Sequence, residues 1–469
     1  MTDFPAVPDR SAEALRAMAS AQAAPFGDES LARWQRALDL HQRQGSEPRL
    51  DALVLGARGS SVFLVRCVGP ARGRVVEVLD LSGQWGTCLV GHGNERVAAA
   101  LDRTSRAGAT SHDDVGDLER AAFLDAVLGP SGTFGRELRV PVQVCGRSTG
   151  SEAVEAALRM AWDRWYDFGS RRWEDPRRVH TLSFHGAWHG WTGQAGPLSH
   201  RPTQSVAMPE PSERSRGRPL AAPYGRIDAL ERIFREHGRA IGVAIVEPLQ
   251  GDGGVVVPEP GFLERFVELC REHEVVSIFD EVMTFGRGRG FFAMREDGGA
   301  LHADLRLVGK GLGNGVVPIA LVIVSSALSA PLGRLGSTHD LRPAQCAVAA
   351  AVCEAVAAAQ QRNAPARIET DARDALADLV SAHPSVFRAA RGTGALWGIE
   401  LAGTVDPAEL RARCLDHGVL VDVLTGRAGR TGRTVLVAPP LDVDRAHFLA
   451  ALERLGRAAA ALEPRDGRL

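Results

Sequence analysis

Val275-Val-Ser-Ile-Phe-Asp-Glu-Val-Met-Thr-Phe-Gly286, followed by Leu305-Arg-Leu-Val-Gly-Lys-Gly-Leu-Gly-Asn-Gly315, is the stretch on which the fold of this 469-residue chain turns. Each half opens with an apolar run of the length of a buried strand. The first run ends in Asp280, and the second leads into Lys310 and a turn whose glycines let backbone approach a ligand closely. In open α/β sheets ligands sit at such strand ends, so an acid and an amine are expected to converge there. Lys310 is the only lysine in the sequence, although Lys and Arg together number 55. Arginine can supply surface charge, phosphate clamps and ion pairs, but a guanidinium does not deprotonate and forms no imine. Lys310 is therefore a candidate for covalent chemistry. A carboxylate at the end of a buried strand is costly unless paired. If Asp280 faced a protonated ring nitrogen it would be paired, and the ring would become an electron sink for an imine on Lys310.

Asp280-Glu-Val-Met-Thr284 followed by Lys310-Gly-Leu-Gly-Asn-Gly315 resembles the core of the class III (omega) aminotransferases, pyridoxal-phosphate enzymes of fold type I; the resemblance runs from about Asp80 to Leu441. It implies an α/β fold in which a large domain with a mostly parallel, mixed seven-stranded sheet is joined to a small α+β domain built from both chain ends. It also implies a homodimer with sites at the interface, pyridoxal 5'-phosphate held by Lys310, and Asp280 on the ring nitrogen.

Other roles follow from the same resemblance. In Ser148-Thr-Gly-Ser-Glu152, Gly150 and Ser151 fall on the phosphate cup, where a helix N-terminus favours an anion; taken alone the segment is also a good N-cap, with Ser148 or Ser151 capping. The family's usual Asn-Ser-Gly is Ser148-Thr149-Gly150 here. Phe184-His185-Gly186 matches an aromatic-His-Gly triplet whose ring stacks on the cofactor, with Val282 closing the opposite face and His185, Trp188 and His189 as wall residues. Thr338 matches a phosphate ligand given by the other subunit. Glu247 matches a second-layer or substrate-side acid, and a plain buried ion pair would use the same residue. Trp85 falls where an aromatic meets the substrate, and His92 reads as a turn residue. Aligning on Pro439-Pro440-Leu441 places Leu436 where relatives that take α-amino acids carry a carboxylate-gripping arginine. Arg427, Arg430 and Arg433, in the Gly-rich loop just upstream, are the replacement candidates.

The pattern of elements predicts an N-terminal arm over 1–50, a small domain from 51–94 and 341–469, and a large cofactor-binding domain over 95–340. Basic residues number 55 against 57 acidic, which gives no electrostatic case for nucleic acid or an anionic membrane. The N-terminus lacks the basic and apolar regions of a leader, and the alanine-rich stretch 344–361 reads as a packed helix, interrupted by Gln345 and Glu354. Seven cysteines without CxxC pairs suit a reducing cytoplasm and argue against a zinc site. Residues 201–223 read as a surface loop.

The expected reaction is transfer of an amino group from a donor to a ketone or aldehyde by ping-pong kinetics, in bacterial biosynthetic metabolism to judge by the arginine bias. An aminomutase or racemase on the same scaffold is the alternative, distinguished by needing no second substrate. A fold retained only for assembly or regulation is disfavoured by the intact Lys310, Asp280 and Gly150-Ser151 set. A nucleotide-binding protein is disfavoured by the lack of GxGxxG or GxxxxGK[ST].

Overall fold

The computed structural model describes residues 10–39, 50–108, 115–129, 131–199, 216–293, 295–296, 299–328, 336–425 and 433–463. Its centre is a seven-stranded sheet of β1 (Val142–Arg147), β2 (His180–Phe184), β3 (Arg218–Ala222), β4 (Ile241–Val246), β5 (Val276–Asp280), β6 (Leu305–Val308) and β7 (Ala320–Ser325), in the order β1-β7-β6-β5-β4-β2-β3. β7 runs antiparallel to both of its neighbours and every other pairing is parallel. Every residue of β4, β5 and β6 is buried. A parallel sheet covered on both faces favours near-continuous apolar runs; β4 supplies one outright, while β5 and β6 also bury Ser277, Asp280 and Arg306, each of them bonded. On one face the helix Gly150–Asp163 packs Ala153, Ala157 and Trp162 against Val243, Ile278 and Leu307. On the other, the helices Ile227–His237 and Phe262–Glu272 bring Phe234, Phe262 and Phe266 onto Leu182, Ala244 and Phe279.

Two smaller sheets join distant parts of the chain. Ala52–Arg58, Ser61–Arg66 and Val75–Asp80 form a meander whose last strand pairs in parallel with Val419–Leu420. The second comprises Phe387–Thr393, Leu396–Leu401, Thr434–Val437 and Val423–Leu424. The helices Ala12–Ser20 and Asp28–Asp39 lie on the meander, with Leu15, Phe26 and Leu31 packed on Phe63, Val65 and Val75. The helix Pro343–Gln361 is long and apolar enough to cross a membrane by length and composition, but its Cys346, Val348, Val352 and Val356 are fully enclosed in the largest core cluster.

Candidate active site

The parallel register sets Asp280, the last residue of β5, opposite Leu307 of β6, so the acid and the lysine that follows β6 leave the sheet side by side. Strand alternation separates Asp280 from its neighbour. Glu281 turns to the opposite side, where it is fully buried and paired with the Arg306 guanidinium, and Asp280 is left to the cleft. Asp280 is 5% exposed. Its Oδ1 accepts the Val282 N–H at 3.1 Å and its Oδ2 lies 2.8 Å from His189 Nδ1, so Nδ1 carries the hydrogen. His189 is itself enclosed, with no partner for Nε2 among the described residues.

Lys310 opens a short 3-10 turn with φ 42°, a left-handed value that costs a non-glycine residue about 1–2 kcal/mol. Nζ lies 3.6 Å from Met283 Sδ. Burial lowers the pKa of this amine below the ordinary lysine value, and Asp252, Glu247 and Asp280 only partly oppose the shift. Glu247, just beyond β4, is buried beside them. Its Oε1 accepts the Trp188 N–H at 2.8 Å and its Oε2 the Gly251 N–H at 3.0 Å, yet burial, with Asp280 adding to it, pushes the carboxyl up to about 7.

At the start of the helix Gly150–Asp163 the capping role belongs to Thr149, in a capping box with Glu152, and not to Ser148 or Ser151. That leaves the first-turn N–H groups of Gly150 and Ser151 unclaimed by the cap. Three backbone segments approach one another closely here. A Cβ on Gly150 would lie 2.9 Å from Val282 Cγ1, one on Gly309 would lie 3.4 Å from the same atom, and one on Gly190 (φ +117°) would lie 2.3 Å from Ser151 Oγ. The result is a cradle floored by Val282 and rimmed by backbone, with Lys310 on one side and Asp280 on the other.

Two candidates need correction. Phe184 has no exposed surface: its ring is surrounded by Tyr224, Phe262 and Phe266 on the far face of the sheet and presents no face to a cofactor. The triplet at the site is the next one in the chain, Trp188-His189-Gly190. Trp188 bonds Glu247, His189 bonds Asp280, and Gly190 rests on Ser151, with the Trp191 N–H reaching Ser151 Oγ at 3.4 Å. His185 is exposed and contributes its carbonyl to Gln250 Nε2 at 3.0 Å. The sequence shows both triplets, and nothing local distinguishes them. The second correction concerns Arg433, whose guanidinium is spent on the carbonyls of Val405 at 2.8 Å and Gly403 at 2.9 Å. Arg427 and Arg430 lie outside the described residues.

Trp85 is 43% exposed at a left-handed φ of 57°, with its N–H held by Asp422 Oδ2 at 3.0 Å. Asp422, which the sequence reading missed, is pushed up to about 6 by burial. Leu436 is fully buried in an apolar cluster with Leu249, Met283, Leu396 and Leu424. Thr338 is exposed on this single chain. His92 is bound to buried Asp80 at 2.9 Å, as a turn residue anchoring Val90-Gly-His-Gly93.

Residues 71–459 match the family model for class-III aminotransferases. The chain belongs to that family, whose members are pyridoxal-phosphate enzymes. Among its relatives, an ornithine aminotransferase of an Exiguobacterium species is 30% identical over 390 residues, which is 80% of this chain and 87% of that protein. The acetylornithine aminotransferase of Rhodobacter capsulatus is 29% identical over 323 residues, 67% of this chain and 75% of the other. The rice mitochondrial ornithine aminotransferase, 29% identical over 324 residues, is matched over 63% of its own length. The same fold is seen in the ornithine aminotransferase of Toxoplasma gondii, with a TM-score of 0.77 at 24% identity covering 93% of this chain and 96% of that one. An S-selective transaminase of Bacillus megaterium gives 0.75 at 21% identity, with 94% and 99% covered.

Proposed function

We propose that this protein is a pyridoxal-phosphate transaminase that moves an amino group from an amine-bearing donor to a ketone or aldehyde, with a substrate wall that does not grip a carboxylate at position 436. The observation that carries the reading is the convergence of the only lysine, its amine made easier to deprotonate by burial, with an Asp280 carboxylate already oriented by His189 and the Val282 N–H.

The residues fit the cofactor. Gly150 and Ser151 would receive its phosphate on free N–H groups at the helix N-terminus, Val282 would underlie the ring, Asp280 would face the ring nitrogen, and Lys310 would hold it covalently. Trp188, half-buried beside Glu247, takes the stacking role first assigned to Phe184. Thr338 would complete the phosphate site of the partner in a homodimer. Bound there, pyridoxal phosphate supplies an aldehyde that captures the amino group and a ring that withdraws electrons from the substrate carbon. Lys310 Nζ takes and returns the proton at that carbon, which requires an amine that loses its proton readily. His189 Nδ1–H and Val282 N–H donate to Asp280 and would hold its carboxylate toward the ring nitrogen.

The wall at position 436 is apolar. Leu436, Leu424 and Met283 occupy the wall, and nearby arginines are already engaged: Arg287 donates to the carbonyls of Gly86, Ala395 and Pro439, and Arg391 pairs with Glu400. Such a wall suits amines and aldehydes without a carboxylate near the reacting carbon. Single turnovers of the loaded enzyme with a panel of amines, diamines and amino acids test this, by following conversion of the cofactor absorbance. Amines should convert it faster than α-amino acids of the same length, and a carbonyl acceptor should restore it. Product formed from one substrate with no acceptor would establish the aminomutase reading instead.

A further inference from the structure

Behind the substrate wall lies a second space that the reading above leaves unused. A cavity of about 210 Å³ is lined by Leu249, Leu396, Arg287, Phe292, Pro365 and Thr393, among others. Leu249 and Leu396 are also members of the small apolar cluster that holds Met283 and Leu436, and Met283 is the residue in contact with Lys310 Nζ. The same two leucines therefore belong both to the apolar cluster that includes Met283 and to the lining of the cavity. Both are nearly fully buried, at 4% and 2% exposed. A cavity of roughly 150 Å³ is enough to hold benzene, so this one is large enough for a chain or ring extending from a substrate.

We infer that Leu249 and Leu396 form a partition that sets the maximum length of substrate, and that the cavity behind them is a latent subsite for the distal part of a longer aliphatic or aryl-alkyl amine. The chemistry of the lining defines that class. Leu249, Leu396, Phe292 and Pro365 offer apolar contact. Two of the three charged lining groups are occupied, Arg287 by three backbone carbonyls and Glu369 by the Gly394 N–H at 2.7 Å and the Thr393 hydroxyl at 3.3 Å, and the third, Arg289, is exposed to solvent. The apolar part of the cavity would thus receive a neutral chain.

The inference rests on the transaminase reading for its substrates, but its test separates the two. O-alkylhydroxylamines of increasing length, from methyl to decyl, capture the aldehyde carbon of the bound cofactor through their nitrogen and release Lys310 as the free amine, with no proton transfer at a substrate carbon. Their rates of capture, read from the cofactor absorbance, report access alone; single turnovers with n-alkylamines of the same lengths report access and transamination together. In the wild type, both series should fall by at least tenfold beyond one chain length. Leu249→Ala and Leu396→Ala should each raise the long-to-short ratio tenfold or more in the hydroxylamine series, and adding Ala366→Phe on the far side of the cavity to Leu249→Ala should return the ratio to the wild-type value. Leu249→Val and Leu396→Val, with smaller effects in the same direction, serve if the alanine variants do not fold. An unchanged ratio in variants that retain the cofactor absorbance overturns the partition. Failure of every alkylamine while the hydroxylamine ratios shift as expected would overturn the transaminase reading and leave the partition standing.

Discussion

Replacing Glu247 with Gln tests whether the crowding of carboxyl groups beneath Lys310 costs the fold stability. Glu247 is 5% exposed and lies beside Asp280, with His189, Lys310 and Tyr224 among its other titratable neighbours. Its carboxyl rises from the ordinary 4.5 to about 7. A raised acid holds its proton more tightly folded than unfolded, so stability falls as pH rises from about 4.5 to about 7 and is level above that. At about 1.4 kcal/mol per tenfold, the ionised side chain costs the folded protein on the order of 3 kcal/mol at pH 8 and less than about 1 at pH 5. The amide has no charge to bury. It does turn an NH2 toward one of the two N–H groups that Glu247 now satisfies, from Trp188 and Gly251, at a cost of about 1 kcal/mol at every pH. The variant should therefore be about 2 kcal/mol more stable than the wild type at pH 8 and equal or slightly less stable at pH 5. Urea unfolding of the cofactor-free proteins at pH 5, 6, 7 and 8 measures the difference, in which Asp280 and His189, common to both proteins, largely cancel. A wild-type-to-variant gap that is the same at all four pH values would refute the reasoning.

Lys310→Ala should abolish turnover in a folded protein; because the sequence holds no other lysine, borohydride should fix cofactor to a single peptide of the wild type and to none of the variant, as peptide mass spectrometry would show. His189→Leu removes a buried, charge-assisted donor to Asp280 worth about 1.5–3 kcal/mol, so cofactor affinity measured by equilibrium dialysis should fall roughly 10- to 100-fold. His189→Asn, whose amide can sit where Nδ1–H does, should recover most of that loss; equal affinity in Leu, Asn and wild-type proteins would mean that the contact positions nothing. Gly190→Ala combines a left-handed backbone with a Cβ 2.3 Å from Ser151 Oγ, so a displaced phosphate cup should appear as cofactor affinity lowered tenfold or more, with a reduced melting temperature. An alanine variant with unaltered retention would show that Ser151 is not held by this contact.

Much of the fold was legible in the sequence because its decisive signals are local. The runs Val276–Asp280 and Leu305–Val308 are short and mainly apolar, interrupted by Ser277 and Arg306, and flanked by turn residues, so the central strands and the side chains at their ends, Asp280 and Lys310, could be read directly. A helix start near Gly150-Ser151 was legible too, although its cap proved to be Thr149 rather than Ser148 or Ser151.

Tertiary structure decided what the loops do. Phe184-His185-Gly186 and Trp188-His189-Gly190 are interchangeable on paper. Phe184 still belongs to β2, and its pleat aims the ring at the helices Ile227–His237 and Phe262–Glu272, whereas the second triplet has left the sheet and turns back over Asp280. Arg433 looked available in a Gly-rich loop until the fold placed two unpaired carbonyls, from Gly403 and Val405, within its reach. Asp422 acquires its place beneath Trp85 only because Val419–Leu420 pairs with Val75–Asp80, far away in the chain. Strand ends inherit their direction from the pleat and can be read from neighbouring residues, while a loop side chain points wherever distant partners satisfy it, and those partners are known only once the chain has folded.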